Sequence, residues 1–170
     1  RRRLMAPSRR RLALALPAVL ALAACGFELR RAPQMRFQRV QLTGFAPRSP
    51  LAAELRQSID ASAETRVVDS AAQAQVIFEA LADARDRSVV ATTATGLVRE
   101  VQLRARLQFR LRTPGGKELI APTEIVQVRE LSFNEGVALA KQYEEAFQFK
   151  TMQSDIVAQV IRRLAAVTDL

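Results

Sequence analysis

Thirteen consecutive positions, Glu100 to Arg112, alternate without a break, and nothing else in the chain constrains its fold as strongly. Val101, Leu103, Ala105, Leu107, Phe109 and Leu111 occupy every odd position, while Glu100, Gln102, Arg104, Arg106, Gln108, Arg110 and Arg112 occupy every even one. Side chains on a strand point to opposite faces in turn, so this segment is a strand with one buried and one polar face. At roughly 3.4 Å per residue it is about 40 Å long. A strand of that length with a wholly apolar face needs neighbours beside it and a second layer to cover it.

The neighbours can be read on either side. Thr113-Pro114-Gly115-Gly116-Lys117 has hairpin chemistry and turns the chain back into Glu118 to Phe133, where Ile125, Val126 and Val128 mark another strand. Its alternation slips near Arg129, which predicts a bulge or twist there. Ala74 to Ala91 is a further strand, with Val76, Phe78, Ala80, Ala82 and Ala84 on one parity and Glu79, Asp83, Arg85 and Arg87 on the other. Ile77 and Leu81 interrupt that parity, which reads as partial cover of both faces near its start. Phe37 to Leu42 is strand-like in composition, and Arg66 to Asp69 is too short to assign.

Two segments have helical spacing. Ser49-Pro50 places a capping serine before a proline at the first helical position, and Leu51, Leu55 and Ile59 then recur every four residues. This predicts a helix from Pro50 to about Ala61. Glu135 to Val167 is predicted as a long helix capped by Asn134, with Phe149, Met152, Ile156, Val160, Leu164 and Val167 at three- or four-residue steps. The expected fold is therefore α+β: a two-layer sandwich in the order β-α-β-β-β-α, with a mixed four-stranded sheet and two helices packed on one face. The first crossover should be right-handed if its strands are parallel neighbours.

Upstream of the domain, Arg9 to Arg11 lead an apolar run, Leu12 to Ala24, that ends in small residues before Cys25, the single cysteine. That is the pattern of a lipoprotein processing site, and the run is too short to span a bilayer core needing about 20 apolar residues. Residues 1–24 are expected to be removed, residues 25–36 to form a lipidated tether, and residues 37–168 to form one domain. Acyl chains on Cys25 would hold the protein on a membrane. Gly26 in the next position, where an aspartate would signal inner-membrane retention, favours outer-membrane sorting.

Charge and composition narrow the function. Six of the 26 basic residues, Arg1 to Arg3 and Arg9 to Arg11, precede the cut, which leaves 20 basic against 17 acidic residues. The high positive charge is thus mostly a property of the export signal and gives no ground for a nucleic-acid partner. The absence of histidine and the single cysteine remove Ser-His-Asp and Cys-His catalysis and the usual zinc sets. No Gly-rich phosphate loop or marked carboxylate pair remains, so no enzyme activity and no cofactor are expected.

Cys25-Gly26-Phe27-Glu28-Leu29-Arg30 resembles the mature start of the LptE lipopolysaccharide-assembly lipoprotein family. Ala138-Leu139-Ala140-Lys141 and Gln159-Val160-Ile161-Arg162-Arg163-Leu164 are similar to segments of the family's long helix. The resemblance implies a non-enzymatic plug and assembly partner of the outer-membrane β-barrel LptD, which helps deliver lipopolysaccharide to the outer leaflet. Val89 to Leu97 lacks the basic residue expected of a loop touching lipid A phosphates, although Arg87 and Arg99 flank it.

Transmembrane barrels have polar interiors, so a plug needs a polar surface that can ion-pair with the wall. Arg104, Arg106, Arg110 and Arg112 suit acidic lumen residues or lipid A phosphates, since guanidinium groups bind both bidentately. Lys141 is a further contact candidate. Plain solubility is the alternative role for these cations. The competing functions are a free-standing periplasmic lipoprotein binding another anionic envelope ligand, and a carboxylate-dependent hydrolase.

Overall fold

A computed structural model describes residues 34–133, 136, 138–168 and 170. The chain runs through β1 (Arg39–Thr43), α1 (Pro50–Asp60), β2 (Arg66–Val68), β3 (Val76–Thr92), β4 (Val98–Arg112), β5 (Glu118–Ser132) and α2 (Ala138–Ala165). The strands form one sheet in the order β2-β1-β3-β4-β5. β1 is parallel to β2 and to β3, and β3, β4 and β5 are antiparallel in turn. The two-layer α+β fold is as expected, but the sheet has five strands rather than four.

The added strand is β2, whose three residues are too few for periodicity to register. Tertiary hydrogen bonds hold it instead. The Arg66 amide donates to the Gln38 carbonyl at 2.8 Å, and the Val67 amide donates to the Asp60 carboxylate at 2.9 Å. The buried Thr65 hydroxyl donates to the Phe37 carbonyl at 2.8 Å, fastening the turn before the strand to β1.

β4 obeys its sequence alternation along its length. Val101, Leu103, Ala105, Leu107, Phe109 and Leu111 are all buried, and the residues between them are half-buried or exposed. Burying an aliphatic or aromatic side chain of this size contributes roughly 1.5–3 kcal/mol, so this one face anchors the core. Phe109 stacks on Phe78 of β3 at 4.8 Å, and Phe78 stacks on Phe45 at 5.9 Å. Gly44 lets the chain beside Phe45 approach β3: its φ is +81°, and a Cβ there would lie 2.0 Å from the Ala80 carbonyl oxygen.

Both helices lie on this apolar face. α1 begins as expected, with the Ser49 hydroxyl accepting from the Ala52 amide at 3.2 Å and Pro50 inside the first turn. It buries Leu51, Leu55 and Ile59. α2 buries Met152, Ile156, Val160 and Leu164 at strict four-residue spacing in the same core. Its 28 residues span about 42 Å. It runs from Ala138 and ends at Ala165 rather than Val167; the expected start, Glu135, and the expected cap, Asn134, lie outside the described residues.

Of the five register shifts in the sheet, two bear most on which side chains reach which face. In the β3–β4 pairing Ala80 opposes Phe109 while Ala82 opposes Gln108, so Leu81 is an extra residue that reverses the parity of β3. In the β4–β5 pairing Phe109 opposes Thr123 while Leu111 opposes Ile120, so Ala121 and Pro122 bulge opposite Arg110. The bulge expected near Arg129 is absent: register is continuous from Ser132 to Thr123. Arg129 instead faces the helices, where it pairs with Asp155 of α2 at 3.2 Å.

Candidate functional site

Because both helices cover one side, the other side of the sheet carries no second layer among the described residues. The even-numbered side chains of β4 project from it. Arg110 binds Glu79 of β3 at 2.8 Å, Arg112 reaches the same carboxylate at 3.4 Å, and Arg106 reaches Glu124 of β5 at 3.4 Å. Hydrogen bonding from Arg110 is the main influence holding the Glu79 carboxyl below its ordinary 4.5, against partial burial that pushes it up. Glu79 is thus a fixed anion between two guanidinium groups. Arg104 has no ion pair among the described residues; Asp86 and Val128 stand opposite it in register.

Three of the four arginines singled out by sequence are therefore paired with two glutamates of their own sheet, Arg110 and Arg112 sharing Glu79. Glu130, which accepts from Gln102 at 3.4 Å, adds a further carboxylate to the same face. The surface is a lattice of both signs, suited to hydrogen bonding and ion pairing with a polar wall. A surface built to capture one large anion would leave its cations unpaired.

The helix-covered side holds a second polar group of residues, which the sequence parity had placed on the open face. After the Leu81 bulge, Asp83, Arg85 and Arg87 oppose Leu107, Ala105 and Leu103, and so point toward the helices. The Ser49 hydroxyl donates to Asp83 at 2.8 Å. Arg85 donates to the Gln153 side chain and lies 5.8 Å from the Phe149 ring centre. Gln153 in turn donates to the Pro50 carbonyl at 3.2 Å and to Glu54, which also accepts from Ser154 at 2.6 Å. Arg87 binds Glu145 at 3.0 Å and sits over the Phe133 ring at 5.4 Å. The signal for this cluster was the break at Leu81, which marks a bulge, whereas Ile77, the other interruption, is buried beside Val76 and Phe78, so both faces are covered at the start of β3 as expected.

Lys141 lies in the second turn of α2 and binds Glu144 at 2.7 Å, with only 17% of its side chain exposed. It belongs to the helix layer, whereas the four arginines project from the helix-free face, so the structure does not unite them in one cationic site. On the outward side of α2, Leu139, Tyr143 and Phe147 form an exposed stripe at four-residue spacing. Val89, Val90 and Leu97 are exposed on the β3–β4 hairpin, whose turn is closed by the Thr93 amide donating to the Leu97 carbonyl at 2.8 Å. Cys25 lies outside the described residues. Among the described residues no helix is long and apolar enough to cross a membrane, and no cluster of acidic or cysteine side chains is placed to hold a metal ion.

The profile of the family described as "LptE: Lipopolysaccharide-assembly" matches residues 37–164. A relative from Pectobacterium atrosepticum, named LPS-assembly lipoprotein LptE, is 29% identical over 153 residues, covering 88% of this chain and 82% of its own. The solution structure of an uncharacterized lipoprotein B from Nitrosomonas europaea superposes with a TM-score of 0.72 at 31% identity, covering 83% of this chain and 91% of that one. The rare lipoprotein B from Shewanella oneidensis shares the fold, with a TM-score of 0.64 at 22% identity over 76% of this chain and 95% of that one.

Proposed function

We propose, from the premise that the chain belongs to the LptE lipopolysaccharide-assembly family, that it is a non-enzymatic plug and assembly partner of an LptD-like outer-membrane β-barrel. In this reading it is held on the outer membrane by acyl chains on Cys25, and it helps deliver lipopolysaccharide to the outer leaflet. The observation that carries the partnership is the helix-free sheet face. A face about 40 Å long with glutamates and arginines interleaved is costly to bury against hydrocarbon and well matched to the polar lumen of a barrel.

The arginine candidates then act mainly as wall contacts. Arg104, Arg106, Arg110 and Arg112 would re-pair with lumen carboxylates as the face docks, and Arg104 is the one with a free guanidinium to offer at once. Lys141, close to Leu139 and Tyr143, would contact partner or lipopolysaccharide from the helix layer. Purification of the lipidated chain from envelopes tests the partnership. A barrel protein should accompany it in fixed stoichiometry, and charge reversal at Arg104 and Arg106 together should lower its yield. A monomer with no barrel attached would favour the free-standing periplasmic binder.

A further inference from the structure

Beyond the bulge at Ala121 and Pro122, the first residues of β5 face the end of α2. A cleft of about 520 Å³ opens between them. Leu119, Ile120 and Val167 give it apolar walls that continue the core. Lys117 enters from the β4–β5 hairpin and Arg163 from the last turn of α2, and neither has a side-chain partner among the described residues. This differs from the open sheet face, where most arginines are already paired. Arg163 also suits the negative end of the α2 dipole, but the dipole gives no reason for Lys117, which comes from another element, to converge on the same space. Glu118 stands at the rim, exposed, and is the one carboxylate lining the cleft among the described residues.

The cleft lies at the end of the domain where the described chain begins. Gln34, Met35 and Arg36 line an adjoining depression against Ala165, the residue before Ala166 of the cleft. Cys25 is nine residues upstream of Gln34, a span of at most about 30 Å when fully extended. Acyl chains on Cys25 would therefore hold this end, and not the β3–β4 hairpin, close to the bilayer surface.

We propose that this cleft seats the headgroup of an anionic phospholipid of the membrane that carries the anchor, with the phosphate between Lys117 and Arg163 and the first acyl carbons against Leu119, Ile120 and Val167. The orientation rests on the lipid-anchor reading given above; the cleft itself does not. Arginine can grip a phosphate bidentately while lysine adds a point charge, and the half-apolar lining matches the glycerol and proximal acyl region. The seated lipid would fix how the domain tilts on the membrane while its sheet face awaits a partner.

The lipidated full chain, carrying a photo-reactive side chain at Ile120, is reconstituted into phosphatidylcholine vesicles with or without phosphatidylglycerol. Crosslinking to phosphatidylglycerol should exceed that to phosphatidylcholine, and should fall by about tenfold when the charge-assisted bonds are removed in Lys117→Gln/Arg163→Gln. A probe at Val90, on the opposite end, should label neither lipid. Equal labelling of the two lipids, or labelling unchanged in the double variant or in the single hairpin variant Lys117→Gln, overturns the proposal; so does labelling by lipopolysaccharide alone when it is added to the vesicles. Failure of the chain to float with vesicles would instead overturn the anchor reading. The cleft is then read by the same Ile120 crosslink to a short-chain phosphatidylglycerol in solution, where absence of labelling overturns it.

Discussion

The Ser49 hydroxyl donates to the Asp83 carboxylate at 2.8 Å while accepting from the Ala52 amide at 3.2 Å, so the cap of α1 is itself held by the first inward side chain after the β3 bulge. One hydroxyl thereby fixes the start of a helix to a single register of the sheet. Ser49→Ala should cost about 0.5–2 kcal/mol through loss of the cap. Asp83→Ala should cost less, since the serine can still cap α1. Urea denaturation of both variants checks the order, and equal losses would show that the Asp83 bond carries the cap.

Gly44→Ala should be among the most damaging single-methyl changes in the domain. The added Cβ would meet the Ala80 carbonyl oxygen at 2.0 Å, and φ of +81° is strained for any L side chain. Backbone strain alone contributes about 1–3 kcal/mol, before the displacement of β3. Thermal melting should show a clear loss, whereas Gly96→Ala, where a Cβ meets nothing within 4 Å, should lose only the strain.

The two faces of β4 should respond oppositely to substitution. Leu107→Ala or Phe109→Ala removes a fully buried side chain and should cost about 2–5 kcal/mol. Arg106→Glu breaks one half-exposed ion pair, for which about 1 kcal/mol or less is expected. Its effect should show in barrel co-purification instead. A comparable loss of stability in all three variants would show that the open face is part of the fold's support.

Glu79 supplies a pH dependence. Its folded pKa lies below the ordinary 4.5 because Arg110 and then Arg112 favour the anion. The stability it contributes is complete above the unfolded value and is lost as pH falls through the folded one. Glu79→Gln should therefore narrow the gap between stability near neutrality and stability below about pH 4, measured by urea titration across that range. A gap as wide as in the parent chain would assign the acid sensitivity to other carboxylates.

Cys25→Ala removes the single thiol in the sequence. Metabolic labelling with a radioactive fatty acid should mark the parent chain and leave this variant unlabelled. Label retained in the variant would place the acyl chain elsewhere.

What the sequence shows of this fold follows from how local the determining physics is. β4 is legible residue by residue because each face is of one kind along its length, and α1 is legible because cap, proline and apolar stripe all fall within eleven residues. β2 is not, because its pairing depends on Gln38 and on β1, far along the chain from a three-residue segment without periodicity. The inward turn of Asp83, Arg85 and Arg87 is hidden for a different reason. One extra residue at Leu81 reverses the side chains from Ala82 to Val89, where the register shifts again, and in a sequence that break looks the same as cover on both faces. Arginine character is visible in β4, but the partners of Arg110 and Arg106, Glu79 and Glu124, are set by strand register, which only the assembled sheet reveals. Lys141 is legible as a cation, but its separation from the arginine face follows from the layer that α2 occupies.

The unequal lengths of the strands have a consequence for how the domain assembles. β3, β4 and β5 are joined by two tight hairpins and pair with their chain neighbours, while β1 must find β3 across the whole of α1 and β2 and meets only its first four residues, Val76 to Glu79. Closing that long loop is entropically expensive until the partner surface exists. The three-stranded meander is thus expected to form first and to serve as the template onto which the amino-terminal half docks. In a chain exported amino terminus first, the first-delivered segment would wait for the last-delivered strands before it could be sheltered, an interval in which a chaperone of the compartment would have work to do.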